Sequence, residues 1–137
     1  KIREFTWNIF ADHYIEMIKK RAYGEGFSKD EKEAAWFTLH TCLETILELL
    51  APIAPYMPDY VARQLYHKYS IHTEEFPKSE FESKFSELTP KIIEFNSTVW
   101  NKKKESGISL KDSIKMELPK ELKLLEKDLK AMHNLTS

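Results

Sequence analysis

Apolar residues recur at helical spacing in five separate stretches, and this constrains the chain more than any other feature. Trp7, Phe10, Ala11, Tyr14, Ile18 and Ala22 form the first stripe. Ile2, Phe5, Ile9 and Met17 widen it, leaving Asn8, Asp12, Glu16 and Lys19 as a narrow polar face. A helix this apolar is expected to be buried on more than one side and to lie centrally. Ala35, Trp36, Leu39, Cys42, Leu43, Ile46, Leu47 and Leu50 make a second stripe. Val61, Ala62, Leu65, Tyr66 and Tyr69 are read as the inward face of a third helix, Ile92, Phe95 and Val99 as that of a fourth, and Leu122, Leu125, Leu129 and Met132 as that of a last one.

The punctuation between the stripes predicts where each helix stops. Gly24 and Gly26 end the first. Ser28 and Glu31 have capping-box spacing and start the second. Pro52 and Pro55 cannot continue it, because proline lacks a backbone donor and restricts its predecessor. Pro58 suits a first turn. Residues 70–77 read as a partly extended connector, and Phe81, Phe85 and Leu88 as a short helical piece. Thr89–Pro90 is read as the cap and first residue of the fourth helix, which runs to about Glu105. After Gly107 the period changes: Leu110, Ile114, Met116 and Leu118 alternate, broken by Asp112, and predict a strand. Pro119 opens the last helix.

The expected fold is mainly α, a helical bundle with a small extended β element before a C-terminal helix. It divides into a bundle over residues 1–107 and a strand plus helix over residues 108–137 of the same domain. A length of 137 residues suits one core, and only 3 Gly argue against a turn-rich β fold. The chain opens at Lys1, directly in a helical pattern, and reads as a piece of something longer.

The net charge of −1 weighs against a stand-alone nucleic-acid binder, since phosphate contacts supply most of such a module's affinity. A domain that adds contacts to a substrate held elsewhere needs less charge. Cys42 is the only cysteine, which excludes an internal disulfide and a thiolate metal cluster and fits a reducing, cytoplasmic setting. No apolar run approaches the ~20 residues that span a bilayer, so no membrane is expected as a partner. The sequons at Asn96 and Asn134 are read as chance.

No catalytic constellation emerges. The histidines lack ligand-pair spacing, so no metal site is expected. Gly24-Glu25-Gly26 lacks a preceding strand and the third glycine of a nucleotide cradle. Asp12 and Glu16 lie one turn apart, and the expectation is a solvated face with Glu16 paired to Lys20. Cys42 falls on an apolar stripe and is read as a core thiol.

Several segments carry a family likeness. The run from Phe10 to Glu16, with Lys19 and Arg21, resembles the F-x-D-x-Y-I-E-x-x-K-x-R helix of valyl-tRNA synthetases. The run from Leu49 to Pro55 is similar to the L-L-A-P-I-x-P signature of aliphatic class I aminoacyl-tRNA synthetases. Ser70-Ile71-His72 through Phe76-Pro77 resembles an S-I-H…W-P segment, with Phe76 in place of Trp. Phe95 to Glu105 and Gly107 to Lys111 resemble the archaeal-type version. After Pro55 the family tends to read H-x-T-E-E, whereas this chain has Tyr56-Met57-Pro58-Asp59-Tyr60. The HIGH and KMSKS catalytic signatures are absent.

The resemblance implies a C-terminal anticodon-binding helical bundle of a class I synthetase. Its partners would be valine tRNA isoacceptors and a catalytic domain of the same polypeptide. ATP and Mg would serve the parent enzyme, with no cofactor in this segment and no catalysis by it. The alternatives left open are the same domain of an isoleucine or leucine enzyme, or a helical protein-interaction module without RNA.

On that reading, phosphate contacts fall to Lys102, Lys103 and Lys104, to Lys19, Lys20 and Arg21, and to Arg3. The competing role for both clusters is compensation of a helix C-terminus, which also favours lysine. Base stacking would fall to Trp100 or Trp7, although large aromatics at helical spacing also suit a core; Tyr56 and Tyr60 stay undecided.

Overall fold

The first apolar stripe becomes one continuous helical rod. In the computed structural model, which describes residues 1–67, 69–78 and 84–136, α1 (Ile2–Glu4) runs into a π-helical stretch over Phe5–Ile15 and then into α2 (Glu16–Tyr23). π-helical turns are wider than α turns, so the stripe read at a period of 3.6 does not stay on one face. Phe10, Met17, Ile18 and Ala22 are buried, while Trp7 is 65% exposed and Phe5 43%. The expected central burial therefore holds for α2, and the N-terminal half of the rod leaves a face to solvent. Gly24, at φ +80°, ends the rod; its N–H donates to the Arg21 carbonyl and that of Glu25 to the Lys20 carbonyl, both at 2.9 Å.

α3 (Lys29–Leu50) starts at the expected capping box. Ser28 Oγ accepts from the Glu31 N–H at 3.2 Å, and Glu31 Oε2 accepts from the Ser28 N–H at 2.7 Å. Trp36 Nε1 donates to the Ala22 carbonyl at 2.9 Å and ties α3 to the last turn of α2. α4 (Tyr56–Tyr66) carries Pro58 in its first turn and packs on α3, where Leu47, Ala51, Ala62 and Ile71 form a small core. Leu65 and Tyr69 were expected inward, but they are 51% and 86% exposed. Among the described residues α4 packs mainly on α3 and the 3₁₀ turn Ile71–Thr73, which leaves its opposite face open. Asp59 fastens that turn, accepting from Ser70 Oγ (2.8 Å), the Ile71 N–H (3.0 Å) and Arg63 Nε (2.7 Å). The bonds from Ser70 and then Arg63 hold its carboxyl at about 2.

α5 (Leu88–Glu105) follows directly on a 3₁₀ turn, Lys84–Glu87. Glu87 occupies the cap position assigned to Thr89 from the sequence, and Pro90 lies inside the first turn. It is tolerated there because the first N–H groups of a helix have no intrahelical acceptor to lose. Phe81, assigned to a helical piece, lies outside the described residues.

The strand expected through Leu110 to Leu118 shrinks to β1 (Ile114–Lys115), which pairs in parallel with β2 (Leu135–Thr136). Residues 109–112 are a turn instead: the Asp112 N–H donates to the Ser109 carbonyl at 3.0 Å, and Asp112 Oδ2 accepts from the Ser109 N–H at 2.8 Å. A 3₁₀ turn, Lys120–Leu125, begins after Pro119 and leads into α6 (Glu126–His133). Leu122 and Leu129 are fully buried and share one cluster with Met17, Ile18, Ala22, Ala35, Phe95 and Val99. The C-terminal segment thus completes the main core.

That sharing has a measurable consequence. Leu122→Ala or Leu129→Ala should cost about 2–5 kcal/mol in urea denaturation, in a single transition. Leu124→Ala, at a side chain 70% exposed, should stay within about 0.5 kcal/mol.

Candidate nucleic-acid interface

Consecutive residues on an α-helix point about 100° apart, so three lysines in a row cannot share one direction. At the end of α5, Lys102 and Lys104 are exposed and Lys103 is fully buried. Lys103 Nζ donates to the carbonyls of Leu110 (2.7 Å), Asp112 (2.7 Å) and His133 (2.8 Å). All three ammonium hydrogens are used, which a neutral amine could not supply. Burial lowers its pKa, Asp112 opposes that and Lys20 adds to it.

Lys103 is therefore withdrawn from the phosphate contacts assigned to it. The helix-compensation alternative survives in altered form: the His133 carbonyl closes α6, so this lysine of α5 serves the negative end of a different helix.

The second basic cluster is divided as well. Arg21 grips the buried carboxylate of Asp128 on α6 through Nε (2.9 Å to Oδ1) and Nη2, with its guanidinium 5.5 Å from the Phe27 ring centre. Lys20 Nζ donates to Asn134 Oδ1 at 2.6 Å, and Asn134 Nδ2 donates to the Lys111 carbonyl at 2.8 Å. Lys19 remains exposed and pairs with Glu16 at 3.1 Å. Glu16 was expected to pair with Lys20; the i, i+3 partner is used because Lys20 turns towards Asn134.

Trp100 is engaged in packing. Its ring stacks on His13 (5.3 Å between centres, 26°) and meets His133 edge-on (6.0 Å, 69°). Below it lies a polar chain that the sequence reading missed. Asn96, fully buried, accepts from His133 Nε2 at 2.7 Å through Oδ1 and donates to His13 Nδ1 at 3.1 Å through Nδ2. This requires His133 to carry its proton on Nε2 and His13 to leave Nδ1 bare. Burial, and then Lys103, hold His133 down to about 4. Burial also lowers His13, against Asp12. The available signal was an asparagine on the apolar stripe of Ile92, Phe95 and Val99. A buried Asn96 also removes one of the two sequons from the surface.

Arg3 lies at the far end of the rod, roughly 25 Å from Arg21 by helical rise. It lines a recess of about 370 Å³ with Lys1, Glu4, Trp7 and Asn8. Trp7, not Trp100, presents an open ring. Cys42 is half-buried, its thiol pushed up by burial. Among the described residues no group of His, Cys, Asp and Glu could hold a metal ion, and no helix is long and apolar enough to cross a membrane. Of the basic residues predicted as contacts, Lys19, Lys102 and Lys104 thus remain exposed near the C-terminal ends of the rod and α5, with Arg3 apart.

A family model described as the anticodon-binding domain of tRNA ligase matches residues 1–118. The valine–tRNA ligase of Aeropyrum pernix is 38% identical over 96% of this chain and 17% of its own length. That of Pyrobaculum aerophilum is 42% identical over 96% of the chain and 17% of its length. That of Nanoarchaeum equitans is 36% identical over 98% and 17%. The chain spans only 17% of the length of these curated relatives. No solved structure matches it.

Two stability measurements check this geometry. Lys103→Met leaves the buried His133 carbonyl and two part-buried carbonyls without their donor, so a loss of about 2–3 kcal/mol is expected; Lys102→Ala and Lys104→Ala should each stay within about 0.5 kcal/mol. The second follows from His133, which titrates near 6.5 when unfolded and at about 4 when folded. Between those values the unfolded chain binds a proton that the folded chain refuses. Stability is complete above pH 6.5 and falls as pH drops through that window, by up to about 3 kcal/mol. His133→Gln should flatten this dependence in urea midpoints measured from pH 7 to pH 4.

Proposed function

Because the chain belongs to the anticodon-binding domains of tRNA ligases, we propose that it is the tRNA-gripping bundle of a valine–tRNA ligase acting in the cytoplasm. It holds the anticodon stem and loop of valine tRNA on a rigid helical platform. A catalytic domain elsewhere in the same polypeptide, supplied with ATP and Mg, joins valine to the far end of that tRNA. The observation that carries this reading is the run of valine–tRNA ligases matching 96–98% of the chain.

Lys102, Lys104 and Lys19 are the proposed phosphate contacts near the clamp formed by the Lys103 ammonium and its three carbonyls, and Arg3 with Trp7 forms a separate contact in which a guanidinium and an indole receive an unpaired base. Lys103, Arg21, Lys20 and Trp100 support this surface from within. Removing a phosphate contact weakens RNA binding without touching the chemistry.

A charging assay on the full-length protein tests the reading. Valine should be attached to tRNA, and isoleucine and leucine should not; charging of either in place of valine would reassign the enzyme, and no charging at all would remove the ligase reading. Lys102→Ala with Lys104→Ala should raise the KM for tRNA about three- to tenfold and leave the KM for ATP unchanged. The isolated chain should fold and catalyse nothing.

A further inference from the structure

Four lysines gather at a place that neither the sequence stripes nor the family model singles out. Lys115, Lys120, Lys123 and Lys130 line an open cleft of about 360 Å³ with Met116, Glu117, Leu118, Glu126 and Thr136. Most of its wall lies beyond residue 118, where the family match ends.

The fold builds this cleft from three pieces. β1 sets Lys115 opposite Thr136 in the parallel pair. The 3₁₀ turn Lys120–Leu125 repeats every three residues, so Lys120 and Lys123 stand one above the other on the same face, about 6 Å apart along the axis. That spacing is comparable to the separation of neighbouring phosphates along a strand. α6 closes the far side with Lys130.

Charge decides what the cleft can take. Its lining carries four lysines and two glutamates, a balance of +2, in a chain whose total is −1. Glu126 is already satisfied by Lys130 at 2.7 Å, and that bond is the first cause of its lowered pKa. Lys115, Lys120 and Lys123 are exposed and form no salt bridge among the described residues, although Lys123 lies near enough to Glu126 to add to the lowering of its pKa. By contrast, Lys127 and Lys91 nearby are paired, with Glu31 and Glu121. A groove with three lysines free of salt bridges among the described residues, open at the surface and lined also by Met116 and Leu118, suits the backbone of a polyanion and not a small buried ligand.

We propose that this C-terminal cleft is a second RNA-backbone contact, in which Lys115, Lys120 and Lys123 bind successive phosphates of the same tRNA. It rests on the tRNA-binding reading above and extends the footprint beyond the matched family segment. The contact reads no base; it adds affinity and fixes the orientation of the RNA arm against α6. β1 lies directly after the turn held by Lys103, so the clamp positions this cleft as well as Lys102 and Lys104.

The test measures tRNA affinity of the full-length protein against salt concentration. Lys115→Ala, Lys120→Ala and Lys123→Ala together should lower the slope of log affinity on log salt by about two, from ~0.7–0.9 per lost phosphate contact. A charge-matched control removing Lys29, Lys32 and Lys78 should leave the slope within about half a unit of the parent. All six side chains are exposed, and unchanged urea midpoints verify folding. An unchanged slope in the cleft variant, or an equal drop in the control, overturns the cleft while the tRNA reading stands. Failure of the unsubstituted protein to bind tRNA at all removes both.

Discussion

The ammonium of Lys103 has three hydrogens, and Leu110, Asp112 and His133 each offer a carbonyl to one of them. Three pieces of chain therefore meet at one nitrogen: the end of α5, the turn after Gly107, and the end of α6. Without that nitrogen, the buried His133 carbonyl and the part-buried carbonyls of Leu110 and Asp112 would lose their shared donor. The two-residue parallel pair β1–β2 is too short to stand by itself. It exists because the clamp has already brought Asp112 and His133 together. Burial first, and then the same cation, keep His133 neutral, since a second positive charge beside Lys103 is disfavoured.

This constraint reconciles a nearly neutral chain with the proposed RNA-facing role. The bundle spends several of its cations internally: Lys103 on carbonyls, Arg21 on Asp128, Lys20 on Asn134. The lysines that remain outward sit on elements which those internal bonds hold rigid. In the proposed role, such a surface needs few charges because little ordering is left to do on binding.

Much of the fold was legible. Ser28 with Glu31, Gly24, Pro52 and Pro58 marked element ends that the structure keeps, since each acts through local backbone chemistry. The stripe through Leu122 and Leu129 correctly announced the buried face of the last helix. Three features were not legible, each for a physical reason. A π-helical stretch shifts the facing of Phe5 and Trp7 without any change in composition. Lys103 looks like its neighbours in sequence, and only the approach of residues 110–112 and of α6 makes it interior. The alternation from Leu110 to Leu118 suggested a strand, but the carbonyls of Leu110 and Asp112 are taken by an ammonium and cannot join a ladder. The candidate site was half visible for the same reason: a run of lysines shows charge, and only packing separates Lys103 from Lys102 and Lys104.

The clamp is most directly tested by the nitrogen-15 resonances of the lysine side-chain ammonium groups at neutral pH. Lys103 should give a distinct Nζ signal whose hydrogens exchange slowly with water, coupled across hydrogen bonds to the carbonyl carbons of Leu110, Asp112 and His133. If Lys103 instead exchanges as fast as Lys102 and Lys104 and shows no such couplings, the interior cation does not exist and the account built on it is wrong.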